Sequence, residues 1–222
     1  MQIQYTDKIK IQGIKILVYG QAKLGKTRLS ATAPNPFIFS AEQGLLSLRR
    51  ERVAFTLINT LKDIDDAYDW MTKSAEARKF QTFCLDSISE IAEMVLANEL
   101  GKTKDPRAAY GEMAKTVFAR FRKFRDFIGP HVYFIAKEEY DKDTINGGLW
   151  YMPSFPGKQL GMAAPYFYDI VARLANMRPA DGQNYLALQC KADASVTAGD
   201  RSGSLNIYEE PHLGKLFAKI LA

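Results

Sequence analysis

Gly20-Gln21-Ala22-Lys23-Leu24-Gly25-Lys26-Thr27 reads G-x-x-x-x-G-K-T. The run before it, Ile14-Lys15-Ile16-Leu17-Val18-Tyr19, has the apolar character of a buried strand, and Arg28 to Thr32 after it reads as a helix. Strand, glycine loop and helix in that order mark a phosphate-binding loop, whereas the bare pattern arises by accident in roughly 1% of chains of this length. The residue types follow from the chemistry. Successive backbone N–H groups over Gly20 to Thr27 can converge on one concavity and hold a triphosphate, with the positive end of the helix behind them. Gly20 and Gly25 let the chain turn and approach the phosphates without a Cβ in the way. Lys26 is then the cation for the β- and γ-phosphates, and the Thr27 hydroxyl a ligand for Mg²⁺. Gln21, Ala22, Lys23, Leu24 and Arg28 complete the expected nucleotide-binding set, although Lys23 also reads as a solvated loop lysine.

The 222 residues are 47% hydrophobic and 25% charged, the composition of an ordinary globular protein. That length suits one α/β domain over residues 1–222, with an N-terminal arm at 1–13 and a hairpin or loop insertion at 137–165. Cys84 and Cys190 sit far apart in apolar runs and form no disulfide or zinc pattern, so a reducing cytosol is expected. The start lacks the basic-then-apolar plan of a leader, and no apolar run is long enough to span a bilayer. A net charge of +5 permits a nucleic-acid partner without demanding one.

Strand-like runs at Phe37–Ser40, Val53–Ile58, Gln81–Leu85, His131–Ala136, Tyr185–Ala192 and Ser204–Tyr208 alternate with helical patterns at 63–77, 88–100, 110–128, 166–177 and 213–221. The segment 153–165 is rich in Gly and Pro and reads as loop. Such alternation predicts a three-layer α/β fold with a mostly parallel sheet, a late β-hairpin around Asn146-Gly147-Gly148 and a C-terminal helix. Two carboxylates end strands, where ligands bind in open α/β sheets. Asp86 is placed to hold Mg²⁺ with Thr27, and Glu42 to align or deprotonate an attacking water. Ser87 reads as a helix cap. Lys137, just past a strand, is a candidate γ-phosphate sensor. Arg201, in the tight turn Gly199–Gly203, is a candidate catalytic arginine supplied to a neighbouring subunit. The arginines from Arg120 to Arg125 read either as a phosphate-tracking face or as the solvated side of a helix. Lys142, Trp150, Tyr151 and Lys158 mix cations and aromatics as single-strand binders do, or pack on the domain. His131 and His212 read as structural.

The set Gly20–Thr27, Phe37-Ile38-Phe39-Ser40-Ala41-Glu42 and Phe83-Cys84-Leu85-Asp86-Ser87 resembles the ATPase core of the RecA/RadA superfamily. The tail Ala198–Gly203 with Glu210-Pro211-His212-Leu213 is similar to that of short phage-encoded RecA-like ATPases of the annealing and recombination type. The resemblance implies ATP and Mg²⁺ as cofactors, Glu42 as the catalytic glutamate, single-stranded DNA as partner, a ring or filament of identical subunits, and the bacterial host's cytoplasm as location. Larger recombinases usually place a polar sensor, often glutamine, where Lys137 falls. A nucleotide-gated loader with little hydrolysis is the alternative from a different class, and a P-loop kinase for a small metabolite a third.

Overall fold

The computed structural model describes Tyr5 and residues 13–142, 147–178 and 182–222. The chain starts its sheet with β1 (Lys15–Tyr19), whose five residues are all buried. Apolar layers cover both faces of this strand, which is why it reads as a continuous hydrophobic run. Helix α1 (Lys26–Leu29) is a single turn that tightens into a 3-10 turn at Ser30–Thr32. Next come β2 (Pro36–Ser40), a 3-10 turn at Leu45–Leu48, and β3 (Ala54–Leu57). Helix α2 (Leu61–Lys73) begins with a capping box: Thr60 accepts from the Asp63 amide, and Asp63 accepts from the Thr60 amide. Strand β4 (Thr82–Asp86) leads into α3 (Ile88–Leu100), capped by Ser87. Helix α4 (Pro106–Asp126) follows, capped by Asp105 with Pro106 in its first turn.

Strand β5 (His131–Lys142) is long, and its outer half pairs antiparallel with β6 (Leu149–Ser154), from Lys137 opposite Ser154 to Lys142 opposite Leu149. This is the expected hairpin; its turn residue Asn146, like most of the arm 1–13, lies outside the described residues. After α5 (Lys158–Ala163) come β7 (Ile170–Met177), β8 (Tyr185–Gln189), β9 (Gly199–Asp200), β10 (Tyr208–Glu209) and α6 (Leu213–Leu221). The sheet runs β10-β8-β7-β1-β5-β4-β2-β3, with β6 on β5 and β9 on β7. From β7 to β3 neighbouring strands are parallel, while β8, β9 and β10 pair antiparallel. One apolar layer, with Leu17, Phe39, Phe83 and Phe134, lies under α2, α3 and α4. The other, with Ile16, Val18, Ile38 and Tyr133, lies under α1 and α6. The α/β class with its mostly parallel sheet, late hairpin and terminal helix is the one the sequence predicts.

Three local expectations are corrected. Residues 166–177 are not a helix: Ala164–Phe167 is a 3-10 turn and Ile170–Met177 is strand β7, paired in parallel with β1. Its Ala, Arg, Leu and Met favour helix locally, but Ile170, Ala172 and Leu174 bury on one face of the sheet and Val171 on the other, and that burial decides. The stretch 153–165 is not all loop, because it ends β6 and contains α5. Within 204–208 only Tyr208 is in a strand. No helix among the described residues is long and apolar enough to cross a membrane.

Candidate nucleotide site

The loop Gly20–Thr27 joins β1 to α1 at the C-terminal edge of the parallel strands. Gly25 has φ 101°, in the left-handed region that favours glycine. Gly20 serves differently from the expectation: a Cβ there would lie 2.4 Å from the Leu174 carbonyl oxygen, so its missing side chain lets the loop pass against β7. The Lys26 ammonium folds back and donates to the carbonyls of Gly20 at 2.7 Å and Gln21 at 2.9 Å. Burial pushes its pKa below the ordinary lysine value, against the pull of Glu42, Asp86 and Glu138. The buried Tyr133 hydroxyl donates to the Lys26 carbonyl at 2.9 Å, pinning the start of α1 to the middle of the sheet.

Two strands away, β4 delivers Asp86. The Thr27 hydroxyl donates to its Oδ2 at 2.7 Å. The other oxygen, Oδ1, is buried and has no hydrogen-bond partner among the described residues. Burial raises the Asp86 pKa to about 6; the Thr27 hydrogen bond and Lys26 work the other way, and Glu42 adds to the rise. An orphaned carboxylate oxygen beside a hydroxyl is a pair of hard oxygen donors suited to Mg²⁺, which takes one or two protein ligands and fills its sphere with phosphate and water. Thr27 and Asp86 therefore fit the metal the sequence assigns to them.

Glu42 follows β2 across the same cleft. The Ser87 hydroxyl donates to Glu42 Oε1 and also accepts from the Glu90 amide at 3.3 Å. Ser87 thus caps α3 and orients Glu42 at once, where its sequence context points only to the cap. The Glu42 and Ala41 amides both donate to the Asp86 carbonyl, at 3.2 and 2.6 Å, which ties the ends of β2 and β4 together.

These groups share one cavity of about 650 Å³, inside the range of roughly 300–1,000 Å³ found for small-molecule sites. Of the expected residues, Gly20, Ala22, Lys23, Gly25, Lys26, Thr27, Glu42, Asp86 and Lys137 line it. Gln21, Leu24 and Arg28 do not: Gln21 offers its carbonyl to Lys26, Leu24 packs on the layer under α1, and Arg28 is exposed. Lys137 reaches the wall, yet its ammonium is held by Glu90 at 2.8 Å and Glu93 at 2.9 Å. Partial burial opposes its charge, but those two carboxylates prevail and hold its pKa above the usual value.

Arg201 is not brought to the cavity of its own chain. Its amide donates to the Asp169 carbonyl, and its guanidinium donates to the Tyr166 carbonyl at 2.6 Å. Both lie by the N-terminal end of β7, and β7 and β1 run in parallel from Ile16 opposite Ile170 to Tyr19 opposite Arg173. The loop starts after Tyr19, so the length of the strand, at about 3.3 Å per residue, separates the two.

Gly44, Ser47 and Glu138 line the cavity without having been singled out. Glu138 is clamped by Arg173 at 2.8 and 3.3 Å, and the guanidinium sits 3.6 Å from the centre of the Tyr151 ring. Glu138 follows Lys137 just past the parallel half of β5, a position that the strand-edge rule marks. Arg173 had no such signal, because its strand reads as helix.

A family model described as AAA domain matches residues 12–202. The SPbeta prophage-derived uncharacterized protein YorG of Bacillus subtilis (strain 168) is 28% identical over 142 residues, 60% of this chain. That match takes in 43% of the relative, so the chain spans less than half of that protein's length. Among solved structures, the KaiC-like protein PH0186 from the hyperthermophilic archaeon Pyrococcus horikoshii OT3 aligns over 80% of this chain and 79% of its own, at 14% identity and a TM-score of 0.41. Because the family match takes in most of the 222 residues, the chain belongs to the AAA domain family.

Proposed function

We propose that the protein binds ATP with Mg²⁺ at Gly20–Thr27 and hydrolyses it, and that it acts as an oligomer on single-stranded DNA in phage recombination, replication or repair within the host cytoplasm. The observation that carries the nucleotide reading is the convergence of Lys26, the Thr27–Asp86 pair and the Ser87-held Glu42 on one cavity. The loop amides and Lys26 bind the phosphates. Thr27 and Asp86 would hold the metal, which would supply charge neutralisation to the transferring phosphate. Glu42, kept in place by Ser87, takes the proton of the attacking water. The prophage relative and the RecA-like motifs favour the phage setting and the DNA partner.

A second reading, a nucleotide-gated loader with little turnover, is favoured by one observation. Lys137 is engaged by two glutamates and Arg201 lies at the far end of the sheet, so the chain brings few free cations to a transferring phosphate. Mutant kinetics separate the two. Lys26→Ala is expected to lower ATP affinity at least tenfold with the fold intact. Glu42→Gln is expected to keep ATP binding and lower turnover by roughly 10²–10⁴-fold, the usual contribution of a general base. Single-stranded DNA is expected to raise wild-type turnover. Glu42→Gln with unaltered turnover favours the loader, and Lys26→Ala with wild-type affinity removes the site assignment.

A further inference from the structure

The arginines of α4 from Arg120 to Arg125 are occupied. Arg120 pairs with Asp65 at 2.7 Å, Arg122 lies over the rings of Phe118 and Phe167, and Arg125 pairs with Asp126 at 2.6 Å. That helix face is a packed and paired surface. Arg28, Arg49, Arg50 and Arg52 are different: all four are exposed, and among the described residues none of their guanidinium groups has an ion-pair or hydrogen-bond partner.

The fold gathers them on one side of the sheet. The turn Leu45–Leu48 packs on α1, which carries Arg28. Leu45, Leu48 and Val53 belong to the apolar layer under α1 and α6, so the run Arg49–Arg52 between them stays on that side. It leads into β3, the outermost strand of the sheet. Phe55 of β3 is paired with Ile38, whose side chain lies in the same layer. Paired residues of parallel strands point to the same face, so Phe55 faces the arginine side. It is 53% exposed, and Leu57, two residues on and facing the same way, is 42% exposed. Glu51 is the one acidic residue between Arg49 and Phe55.

Free guanidinium groups next to an uncovered aromatic face suit a polyanion with accessible bases: phosphates take the cations and a base takes the ring. A duplex keeps its bases stacked inside and has no use for the ring. We propose that Arg28, Arg49, Arg50, Arg52 and Phe55 form the surface on which this protein binds single-stranded nucleic acid. The proposal rests on the single-stranded partner proposed above and gives it a location. It moves the binding face off the β5–β6 hairpin, where Glu138, Glu139 and Asp141 outnumber Lys137 and Lys142. It also gives the two ligands a route of communication. Gly44 and Ser47 line the nucleotide cavity, and Arg49 to Arg52 continue the same loop, so one short segment touches nucleotide at one end and nucleic acid at the other.

The test is fluorescence anisotropy of a labelled oligo-dT, with a duplex of equal length beside it, over a series of salt concentrations. Replacing Arg49, Arg50 and Arg52 together by alanine is expected to weaken oligo-dT binding at least tenfold. It should also flatten the plot of log affinity against log salt by about 2, at about 0.7 for each phosphate no longer neutralised. The corresponding triple lysine variant is expected to keep the slope. Phe55→Ala is expected to weaken binding roughly five- to a hundredfold, the effect of losing one stacked base, with the slope unchanged. Fluorescent-nucleotide affinity and melting temperature should match wild type in all three. If wild type binds oligo-dT and the triple alanine variant binds it equally well with the same slope, this surface is wrong and the partner stands. If wild type binds no oligo-dT even at low salt, both fall. Duplex bound as tightly as oligo-dT, and weakened equally by Phe55→Ala, overturns the single-strand assignment.

Discussion

Asp86 carries much of the electrostatic strain of the site. Its carboxylate is almost fully buried, one oxygen has no partner among the described residues, and its pKa is pushed up to about 6 from 3.8. A carboxyl group whose folded pKa exceeds its unfolded value favours folding below the unfolded pKa, and that contribution is lost as pH rises through the folded one. The window here is therefore pH 3.8 to about 6. Asp86→Asn keeps an acceptor for the Thr27 hydroxyl and removes the charge. In EDTA above that window it is expected to stabilise the protein by about 2–3 kcal/mol, read from urea unfolding, at 1.36 kcal/mol per pKa unit. The same variant should lose the extra stability that Mg²⁺ and ATP give to wild type. An Asp86→Asn protein less stable than wild type without metal would show that the carboxylate has a partner in solution. Residues of this kind were legible in the sequence: Lys26, Thr27, Asp86 and Glu42 carry motif spacing and strand-end positions. Ser47 was not singled out, because no motif marks a side chain that reaches the cavity only through tertiary placement, whereas Glu138 was passed over beside Lys137 although it shares that strand-edge position.

The elements show where local reading stops. The strands β1, β2, β4 and the inner half of β5 stand out as short apolar runs because they are buried on both faces. Strand β7 does not, since Ala172, Arg173 and Ala175 interrupt the run and its partner β1 lies some 150 residues back. Misreading β7 hid the role of Gly20, which packs against the Leu174 carbonyl of that strand. Gly20→Ala must move one backbone or the other and is expected to cost roughly 1–3 kcal/mol, the usual range for overpacking a tight site. Chemical denaturation checks this. An alanine variant of wild-type stability would mean that β7 does not approach the loop so closely. Helix α4 is another partial reading: the helical pattern in the sequence begins at Tyr110, whereas the helix opens at Pro106, capped by Asp105.

Across the whole molecule, the sheet order puts β5 between the loop-bearing β1 and the Asp86-bearing β4. The Thr27–Asp86 hydrogen bond therefore spans two inter-strand spacings at the sheet's C-terminal edge, and any slip in that order would dismantle the site. At the opposite edge, His131 ties the sheet to the terminal helix: its Nδ1 accepts from the Ile14 amide at 3.0 Å and its ring stacks on Phe217. Burial, with Lys15 nearby, lowers its pKa to about 4 from 6.5. A histidine with a lowered folded pKa contributes stability above its unfolded value that is lost as pH falls toward the folded one. His131→Asn, which keeps an acceptor for Ile14, is accordingly expected to lessen the fall in melting temperature between pH 6.5 and about 4. Asp86 acts in the opposite direction over much of that range, so each effect is read from the difference between variant and wild type. A difference profile flat in pH would contradict the neutral, half-buried ring. The central claim concerns the other edge, and a crystal structure with Mg²⁺ and a non-hydrolysable ATP analogue tests it most directly. The account predicts the β- and γ-phosphates inside Gly20–Thr27, the Lys26 ammonium released from the Gly20 and Gln21 carbonyls onto them, and a metal about 2.1 Å from Thr27 Oγ1. An analogue bound elsewhere, or a loop that stays closed on Lys26 at saturating analogue, would contradict it.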